Sequence, residues 1–195
     1  MSHYSDPIPA AASSPRIIPL VLPDLTVDLQ TDRGVFSGDR VDPGTKLLLQ
    51  ESPSPPKDGA LLDVGCGYGP IAITLAHRSP AAMVWAIDVN ERARDLTILN
   101  ARRSDLTNVT VCAPEDVPDT LSFDALYSNP PIRIGKAALY ALLDMWLPRT
   151  NVAYLVIHKH LGSDSVVKWM TDTHGWEVQR LVSRVGYRIL EVHPT

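Results

Sequence analysis

Two hydrophobic periods alternate along most of this chain. Short apolar runs, typical of strands buried in a sheet, are followed by longer segments whose apolar residues recur at helical spacing. The pattern predicts helices at 70–78, 91–103, 137–146 and 164–173. It predicts strands at 60–64, 83–88, 109–112, 123–128, 152–158, 176–183 and 187–193. The last two strands are separated by a turn near Gly186 and are therefore expected to form a hairpin.

The order of these elements predicts the fold class. Strands that are separated by helices need right-handed crossovers, and they form a parallel sheet with both faces covered. The terminal hairpin adds an antiparallel member at or near one edge. The sequence therefore predicts an α/β fold with a doubly wound, mostly parallel seven-stranded sheet and a C-terminal antiparallel hairpin.

Proline-rich segments interrupt the pattern at two places. Residues 1–23 combine many prolines with an Ala-Ala-Ala-Ser-Ser run and have no hydrophobic period, which predicts a flexible arm. A second break at residues 52–59 separates an N-terminal segment from the alternating elements. At 195 residues the chain has the size of one ordinary domain, and we expect that domain to span 24–195.

Composition narrows the class of protein. Hydrophobic residues make up 45% and charged residues 21%, the proportions of a soluble globular protein. The longest apolar runs, such as 152–157, are too short to span a bilayer, and the N-terminus lacks the pattern of a secretion signal. Cys66 and Cys112 have no metal-ligand spacing. We therefore expect a cytoplasmic protein without a membrane segment, a disulfide framework or a metal site.

The overall charge does not favour a broadly basic surface for nucleic acid, since the net charge is −4. Basic residues nevertheless cluster after two strands, at Arg133 with Lys136 and at His158-Lys159-His160. Each cluster is interpreted either as a contact for an anionic partner or as a solvated face.

A glycine-rich turn follows the first strand of the predicted sheet. Its sequence is Asp63-Val64-Gly65-Cys66-Gly67-Tyr68-Gly69. Ligands of a doubly wound sheet bind outside the carboxyl ends of the strands, where the strand order reverses, and the first strand normally lies there. Glycine permits positive φ and lets a ligand approach the backbone, so Gly65, Cys66 and Gly67 are candidate cofactor contacts. Asp63 could fix the loop or meet a cationic group of the ligand. A glycine turn without any ligand is the alternative.

Acidic residues follow the next two strands. Asp88 ends the second strand, 21 residues after Gly67, where its carboxylate could accept both hydroxyls of a ribose or cap the following helix. We place Val89 in the same site. After the third strand, Glu115 or Asp116 could accept from the exocyclic amine of an adenine, and solvation of both is the alternative.

The residue after the glycine turn distinguishes between cofactors. Pro70 stands where the dinucleotide fingerprint has its third glycine, which packs a helix closely beneath a pyrophosphate. A nucleoside without a pyrophosphate linker, such as S-adenosylmethionine, is therefore favoured over NAD.

The motif Asn129-Pro130-Pro131 follows the fourth strand at the same edge of the sheet. Consecutive prolines fix φ and remove two N–H donors, which leaves the Pro130 carbonyl and the Asn129 side-chain oxygen as rigid acceptors. A planar NH2 group is a poor nucleophile because its lone pair is delocalised. Accepting both of its N–H bonds favours a pyramidal nitrogen that is aimed at a methyl sulfonium. The motif predicts methyl transfer to such a nitrogen, and a proline turn with a structural asparagine is the alternative.

Together these motifs resemble class I S-adenosylmethionine-dependent methyltransferases. The segment at 34–49, which begins Gly34-Val35-Phe36-Ser37, resembles the N-terminal motif of the small-domain branch, which contains the ribosomal RNA guanine-N2 methyltransferases. The similarity covers about residues 25–194. It implies a Rossmann-like methyltransferase fold and S-adenosylmethionine as the cofactor. It also implies that Phe36 lines the methionine end of the cofactor and that Asn129 and Pro130 hold the target amine.

Two departures from the family pattern concern target recognition. Ile132 stands where many members carry an aromatic residue that stacks on a flipped base. The chain is also expected to lack the separate RNA-binding domain of longer members. Recognition would then fall to Ile132, Arg133, Lys136 and the proline-rich arm, or to a partner.

The function implied by the resemblance is methylation of the exocyclic N2 amine of a guanine in ribosomal RNA by a monomer or weak homodimer. A base inside a duplex would have to flip out to reach Asn129. One alternative is N5 methylation of a protein glutamine, whose side-chain amide is also planar. The other is a cofactor-binding assembly factor without turnover.

Overall fold

A mixed seven-stranded sheet forms the centre of the computed structural model, which describes Pro7, residues 11–131 and residues 134–194. The described strands are β1 (Arg16–Val21), β2 (Thr26–Thr31), β3 (Asp58–Val64), β4 (Ala81–Ile87), β5 (Val109–Cys112), β6 (Ala125–Ser128), β7 (Ala153–His158), β8 (Glu177–Arg184) and β9 (Tyr187–His193). The spatial order in the large sheet is β5-β4-β3-β6-β7-β9-β8. Strands β3 to β7 are parallel, and β9 runs antiparallel to both β7 and β8. The predicted fold class is confirmed.

Helices lie between most of the successive strands. They are α1 (Pro43–Glu51), α2 (Pro70–Arg78), α3 (Glu91–Arg103), α4 (Lys136–Trp146) and α5 (Ser163–His174). The bounds of α2 and α3 are those predicted from the sequence. Helix α3 begins there because the Asn90 side chain accepts a hydrogen bond from the backbone N–H of Ala93 at 3.2 Å. In the described part of the chain, no helix combines the length and the apolar character that a membrane span requires.

The N-terminal segment corrects one sequence-based expectation. Residues 16–21, assigned to a flexible arm, form β1, which pairs antiparallel with β2 in a separate two-stranded sheet. Ile18 and Leu20 of β1 are buried on either side of Pro19. A proline is tolerated in such a strand because not every N–H at a sheet edge is needed for pairing. The prolines interrupt the alternating pattern by which a strand is predicted from sequence. Contacts with the domain core nevertheless bury Ile18 and Leu20. The boundary between an arm and the domain stays a prediction.

Polar contacts attach this N-terminal part to the main sheet. The Asn100 side chain of α3 donates to the Gln30 carbonyl at 2.9 Å and accepts from the Gln30 N–H at 2.8 Å, so it pairs with β2 as another strand would. The Arg78 guanidinium at the end of α2 donates to the Asp24 carboxylate at 2.8 Å and to the Leu49 carbonyl at 2.7 Å. The hairpin and α1 are thereby held beside α2 and α3.

The core consists of two apolar layers, one on each face of the sheet. Leu61 and Leu62 are successive residues of β3, both fully buried, and they point to opposite faces. Leu61 belongs to the layer that contains Leu48 of α1, whereas Leu62 packs in the layer that contains Trp146 of α4. Because both layers are filled, β3 is buried at the centre of the sheet and its carboxyl end is held rigidly.

The strand order reverses beside β3. This strand pairs with β4 on one side and with β6 on the other, and the chain reaches the two neighbours in separate crossovers. The loops that leave β3 and β6 therefore diverge and open a crevice between them. Gly65, Asp88 and Asn129 immediately follow the three strands at this edge.

Candidate active site

One cleft of about 680 Å³ lies at the carboxyl edge of the sheet. Its lining includes Gly65 and Gly67 after β3, Asp88 after β4, and Asn129 and Pro130 after β6. The structure thus brings the glycine turn and the Asn-Pro-Pro motif to the same space, although 62 residues separate Gly67 from Asn129.

The glycine turn bends away from β3 towards β4. The N–H groups of Gly65 and Cys66 both donate to the Ile87 carbonyl, at 2.9 and 3.0 Å. Gly67 has a φ of +59°, and a Cβ at this position would have no atom within 4 Å. A Cβ at Gly65 would lie 3.9 Å from Cδ of Pro131. The turn therefore exposes bare backbone to the cleft and lies directly beside the second motif.

Asp63 supports this turn from below the cleft. Its Oδ2 accepts from the Ala72 N–H in the first turn of α2 at 3.0 Å, while Oδ1 is buried with no hydrogen-bond partner among the described residues. Burial raises the pKa of this carboxyl well above its usual range, and the nearby Asp88 raises it further. Asp63 is absent from the cleft lining. The geometry favours the first of its two sequence interpretations, in which it fixes the loop.

Cys66 is also buried, and its sulfur lies 3.6 Å from the Thr97 hydroxyl of α3. The same hydroxyl donates to the Gly67 carbonyl at 2.9 Å. Burial raises the pKa of the Cys66 thiol well above its usual range. Cys66 therefore contributes to the shape of the turn, together with Thr97, which sequence reasoning missed.

Asp88 presents a carboxylate to the cleft. Oδ2 accepts from the Gly67 N–H and Oδ1 from the Asn90 N–H, each at 2.9 Å. Burial raises the pKa of Asp88, although these N–H groups act in the opposite direction. Each carboxylate oxygen has a second lone pair that can accept from a ligand hydroxyl. The alternative role as a helix cap is wrong, because Asn90 caps α3.

The Asn129 side chain is oriented by residues from the N-terminus of α1. Its Nδ2 donates to Asp42 Oδ1 at 2.8 Å and to Thr45 Oγ1 at 2.9 Å. Asp42 Oδ1 also accepts from the Thr45 N–H at 3.0 Å and caps α1. Both N–H bonds of the amide are therefore used, and its oxygen has no donor among the described residues.

Sequence reasoning missed Asp42 and Thr45 as site residues. A signal for the helix was present, because an aspartate followed by Pro43 is a typical start of a helix. Nothing local indicated that the capping carboxylate would also bind a side chain 87 residues away.

Some of the other predicted site residues line the cleft and others do not. Pro131, Phe36 and Val89 line it, and the side chains of Phe36 and Val89 are 38% and 46% exposed. Lys136 begins α4, is exposed, and lies over the Tyr140 ring at 5.4 Å without lining the cleft. Ile132 and Arg133 lie outside the described residues.

The adenine-reading prediction stays a prediction. Glu115 and Asp116 form a short 3-10 turn with Pro114 and are both exposed. Pro114 lines the cleft, whereas the two acidic residues do not.

Sequence reasoning also missed Tyr187 at the start of β9, which lines the cleft together with His158 and His160. The sequence pattern places the two histidines in a basic cluster and Tyr187 in a strand, with no indication that Tyr187 reaches the cleft. Among the described residues, no group of three or more His, Cys, Asp or Glu side chains is placed to hold a metal ion.

Comparisons with known proteins identify relatives of this chain. The family described as "Methyltransferase small domain" matches residues 26–191. The uncharacterized protein YbxB of Bacillus subtilis is 32% identical over 195 residues, which cover 97% of this chain and 96% of YbxB. The ribosomal RNA small subunit methyltransferase C of Pseudoalteromonas translucida is 33% identical over 114 residues, which cover 58% of this chain and 33% of that protein.

A solved structure has the same fold. The 16S rRNA N2 methyltransferase RsmC of T. thermophilus, in complex with AdoMet and guanosine, matches with a TM-score of 0.80 at 22% identity. The match covers 96% of this chain and 52% of RsmC, so the chain spans about half the length of that enzyme. On the match to residues 26–191, together with the identity to YbxB along almost the whole length, the chain belongs to the methyltransferase small-domain family.

Proposed function

We propose that this chain methylates the exocyclic N2 amine of a guanine in ribosomal RNA. The observation that carries the proposal is the orientation of the Asn129 carboxamide. Asp42 and Thr45 accept the two hydrogen bonds that the carboxamide nitrogen can donate. The carboxamide oxygen is therefore available to accept a hydrogen bond from an amine in the cleft.

The cofactor is S-adenosylmethionine, which supplies a methyl group carried on a positively charged sulfur. The residues of the cleft fit it in two ways. The open space next to Gly67 leaves room for a ligand against the backbone, and the Asp88 carboxylate can accept ribose hydroxyls. Phe36 would cover the methionine end, and Val89 would contact the adenosine.

The acceptor chemistry is supplied by Asn129 and Pro130. The Asn129 oxygen and the Pro130 carbonyl would each accept one N–H of the target amine. Two such bonds reduce delocalisation of the nitrogen lone pair and direct it towards the cofactor side of the cleft. The nitrogen forms a bond to the methyl carbon as the carbon–sulfur bond breaks, and it then releases a proton to water. The reaction therefore needs no strong base.

Asp42 would have a second part in this step. Its carboxylate holds the Asn129 amide nitrogen, which polarises the carboxamide and increases the negative charge on its oxygen. The oxygen becomes a better acceptor for the target amine. Because Asp42 also caps α1, its position does not depend on the substrate.

The choice of RNA is supported by the relatives, two of which are named for methylation of ribosomal RNA. The chain spans only part of those proteins, so the substrate is our proposal. We propose that Ile132, Arg133 and Lys136, which follow the Asn-Pro-Pro motif, contact the RNA near the target base.

The test is transfer of a labelled methyl group to RNA. Ribosomes and isolated ribosomal RNA from cells lacking the protein are each incubated with purified chain and labelled S-adenosylmethionine, and the nucleosides and the ribosomal proteins are analysed by mass spectrometry. We expect label in N2-methylguanosine with the wild-type chain and none with Asn129→Ala. Label in glutamine of a ribosomal protein would replace RNA as the substrate. Label in neither, with cofactor bound, would indicate an assembly factor without turnover.

A further inference from the structure

If the methyl acceptor is a base, the part of the cleft around Asn129 must contain a surface that contacts the flat face of that base. The position that follows the two prolines of the motif is Ile132, which has no aromatic face. Among described residues, the aromatic side chains that line the cleft are those of Phe36, Trp146, His158, His160 and Tyr187; of these, Phe36 is assigned to the methionine end of the cofactor and Trp146 is buried in the core.

His158 and Tyr187 face each other across two strands. His158 ends β7 and Tyr187 begins β9, and the two residues are partners in the antiparallel register. Their ring centroids are 5.0 Å apart with an interplanar angle of 82°. An edge-to-face pair of this kind is mutually stabilising and presents one flat ring and one ring edge to its surroundings.

Both rings pack against bare backbone. A Cβ at Gly186 would lie 3.2 Å from Nε2 of His158, and a Cβ at Gly44 would lie 2.6 Å from Cε1 of Tyr187. The Lys159 N–H donates to the Gly186 carbonyl at 2.7 Å, which holds the turn under His158. The two rings are therefore held in place before any ligand binds.

The same helix end positions the ring pair and the amide cradle. Gly44, against which Tyr187 packs, lies between Asp42 and Thr45, the two residues that hold the Asn129 amide. The distance from Asn129 to the ring pair is consequently set by the first turn of α1. A rigid spacing of this kind suits an acceptor group attached to a rigid ring.

We propose that the His158–Tyr187 pair receives the target base, with the face of one ring against the base and the edge of the other ring bordering it, while Asn129 and Pro130 hold its exocyclic amine. The acceptor is then a planar nucleobase, since a flexible glutamine side chain has no flat ring to place on this pair. The inference rests on the proposed function and adds two specificity-determining residues to it. Contact of a base with an aromatic face is sequence-tolerant, so the amine cradle selects the base and the ring pair aligns it.

Four substitutions test the role of the rings. His158→Leu and Tyr187→Leu keep an apolar side chain but remove the flat face, whereas His158→Phe and Tyr187→Phe keep a ring. We expect each leucine variant to raise KM for ribosomal RNA by roughly tenfold or more, as loss of one base–aromatic contact does. Each phenylalanine variant should recover most of that loss. Val185→Ala is the control, because Val185 is in the same hairpin, 77% exposed and absent from the cleft lining.

Two further measurements separate recognition from folding. The dissociation constant for S-adenosylmethionine, measured by calorimetry, should be unchanged in the leucine variants. In an NMR titration with guanosine, the imidazole proton signals of His158, assigned with His158→Phe, should shift through the ring current of the base.

The outcomes distinguish failure of this inference from failure of the proposed function. RNA methylation by the wild type with unchanged KM in both leucine variants would overturn the ring surface alone. The same holds if the leucine variants lose cofactor affinity and stability in parallel with RNA affinity. Transfer to a protein glutamine, or no transfer at all, would overturn the proposed function and this inference together.

Discussion

The Asn129 amide nitrogen lies 2.8 Å from the carboxylate of Asp42, a residue 87 positions earlier in the chain. This contact joins the loop after β6 to the N-terminus of α1. It also decides which end of the carboxamide is available to a ligand, because a carboxylate can only accept and therefore faces the nitrogen.

Asn129→Ala should abolish methyl transfer and leave cofactor binding nearly intact. The substitution removes an acceptor for the target amine but none of the contacts of Gly67 or Asp88 with the cofactor. Calorimetry should give an S-adenosylmethionine affinity within a few fold of wild type, while labelled transfer falls below detection. A large loss of cofactor affinity would contradict the role assigned to Asn129.

Asp42 has two roles that substitutions can separate. Asp42→Ala removes both the helix cap and the acceptor for Asn129, whereas Asp42→Ser retains a side chain that caps helices well. We expect Asp42→Ala to lower the free energy of unfolding by about 1 kcal/mol, and Asp42→Ser to lower it by much less. Both variants should lose kcat, because the Asn129 amide is no longer oriented. Wild-type kcat in Asp42→Ser, with urea unfolding confirming its stability, would show that the carboxylate only caps α1.

Asp88→Ala should weaken S-adenosylmethionine binding by roughly 1–3 kcal/mol, the range for loss of hydrogen bonds to a charged group. Part of the loss would come from the Gly67 N–H, which loses its acceptor. The control is Asp95→Ala, which removes an exposed carboxylate from the same region, on α3. Equal calorimetric affinity in the two variants would exclude Asp88 from the site.

Gly67→Ala should separate stability from cofactor affinity. An alanine at φ +59° costs about 1 kcal/mol, and no atom lies within 4 Å of its Cβ. The control is Gly175→Ala at the end of α5, where φ is +69° and the space is equally open. We expect both variants to lose similar stability in urea. Only Gly67→Ala should lose affinity for the cofactor, because only its Cβ enters the cleft. Equal affinity in both would remove the glycine turn from the site.

The raised pKa of the buried Asp63 carboxyl predicts how the stability of the protein depends on pH. Burial raises the pKa of this carboxyl in the folded protein, so the folded state retains a proton that the unfolded chain has already lost. The contribution of Asp63 is therefore complete below the ordinary carboxyl pKa of about 3.9 and is lost as pH rises through the raised value. Asp63→Asn removes this titration while keeping an oxygen to accept from the Ala72 N–H.

The measurement is urea unfolding of wild type and Asp63→Asn between about pH 4 and pH 8. The free energy of unfolding of wild type, relative to the variant, should fall as pH rises. Asp58→Asn, at the exposed start of the same strand, controls for the loss of one negative charge. A relative stability of wild type that increases with pH would contradict the sign of the effect.

Local sequence was sufficient for the order of elements after residue 58 and for the edge of the sheet at which the site lies. The bounds of α2 and α3 were predicted because hydrophobic periodicity is a short-range signal, and because Pro70 is well suited to the first turn of a helix. Gly65, Asp88 and Asn129 were predicted to share one edge because the carboxyl ends of parallel strands must do so.

Contacts between distant segments decided the remainder. Strand β1 forms by pairing with β2, which Asn100 of α3 contacts in turn, and the local pattern with its prolines did not indicate this pairing. Packing between elements that are far apart in sequence brings Asp42, Thr45 and Tyr187 to the site. It also leaves Asp63 outside the cleft lining. Side-chain periodicity indicates which face of an element is buried. The residues that pack against that face are determined by the tertiary fold of the whole chain.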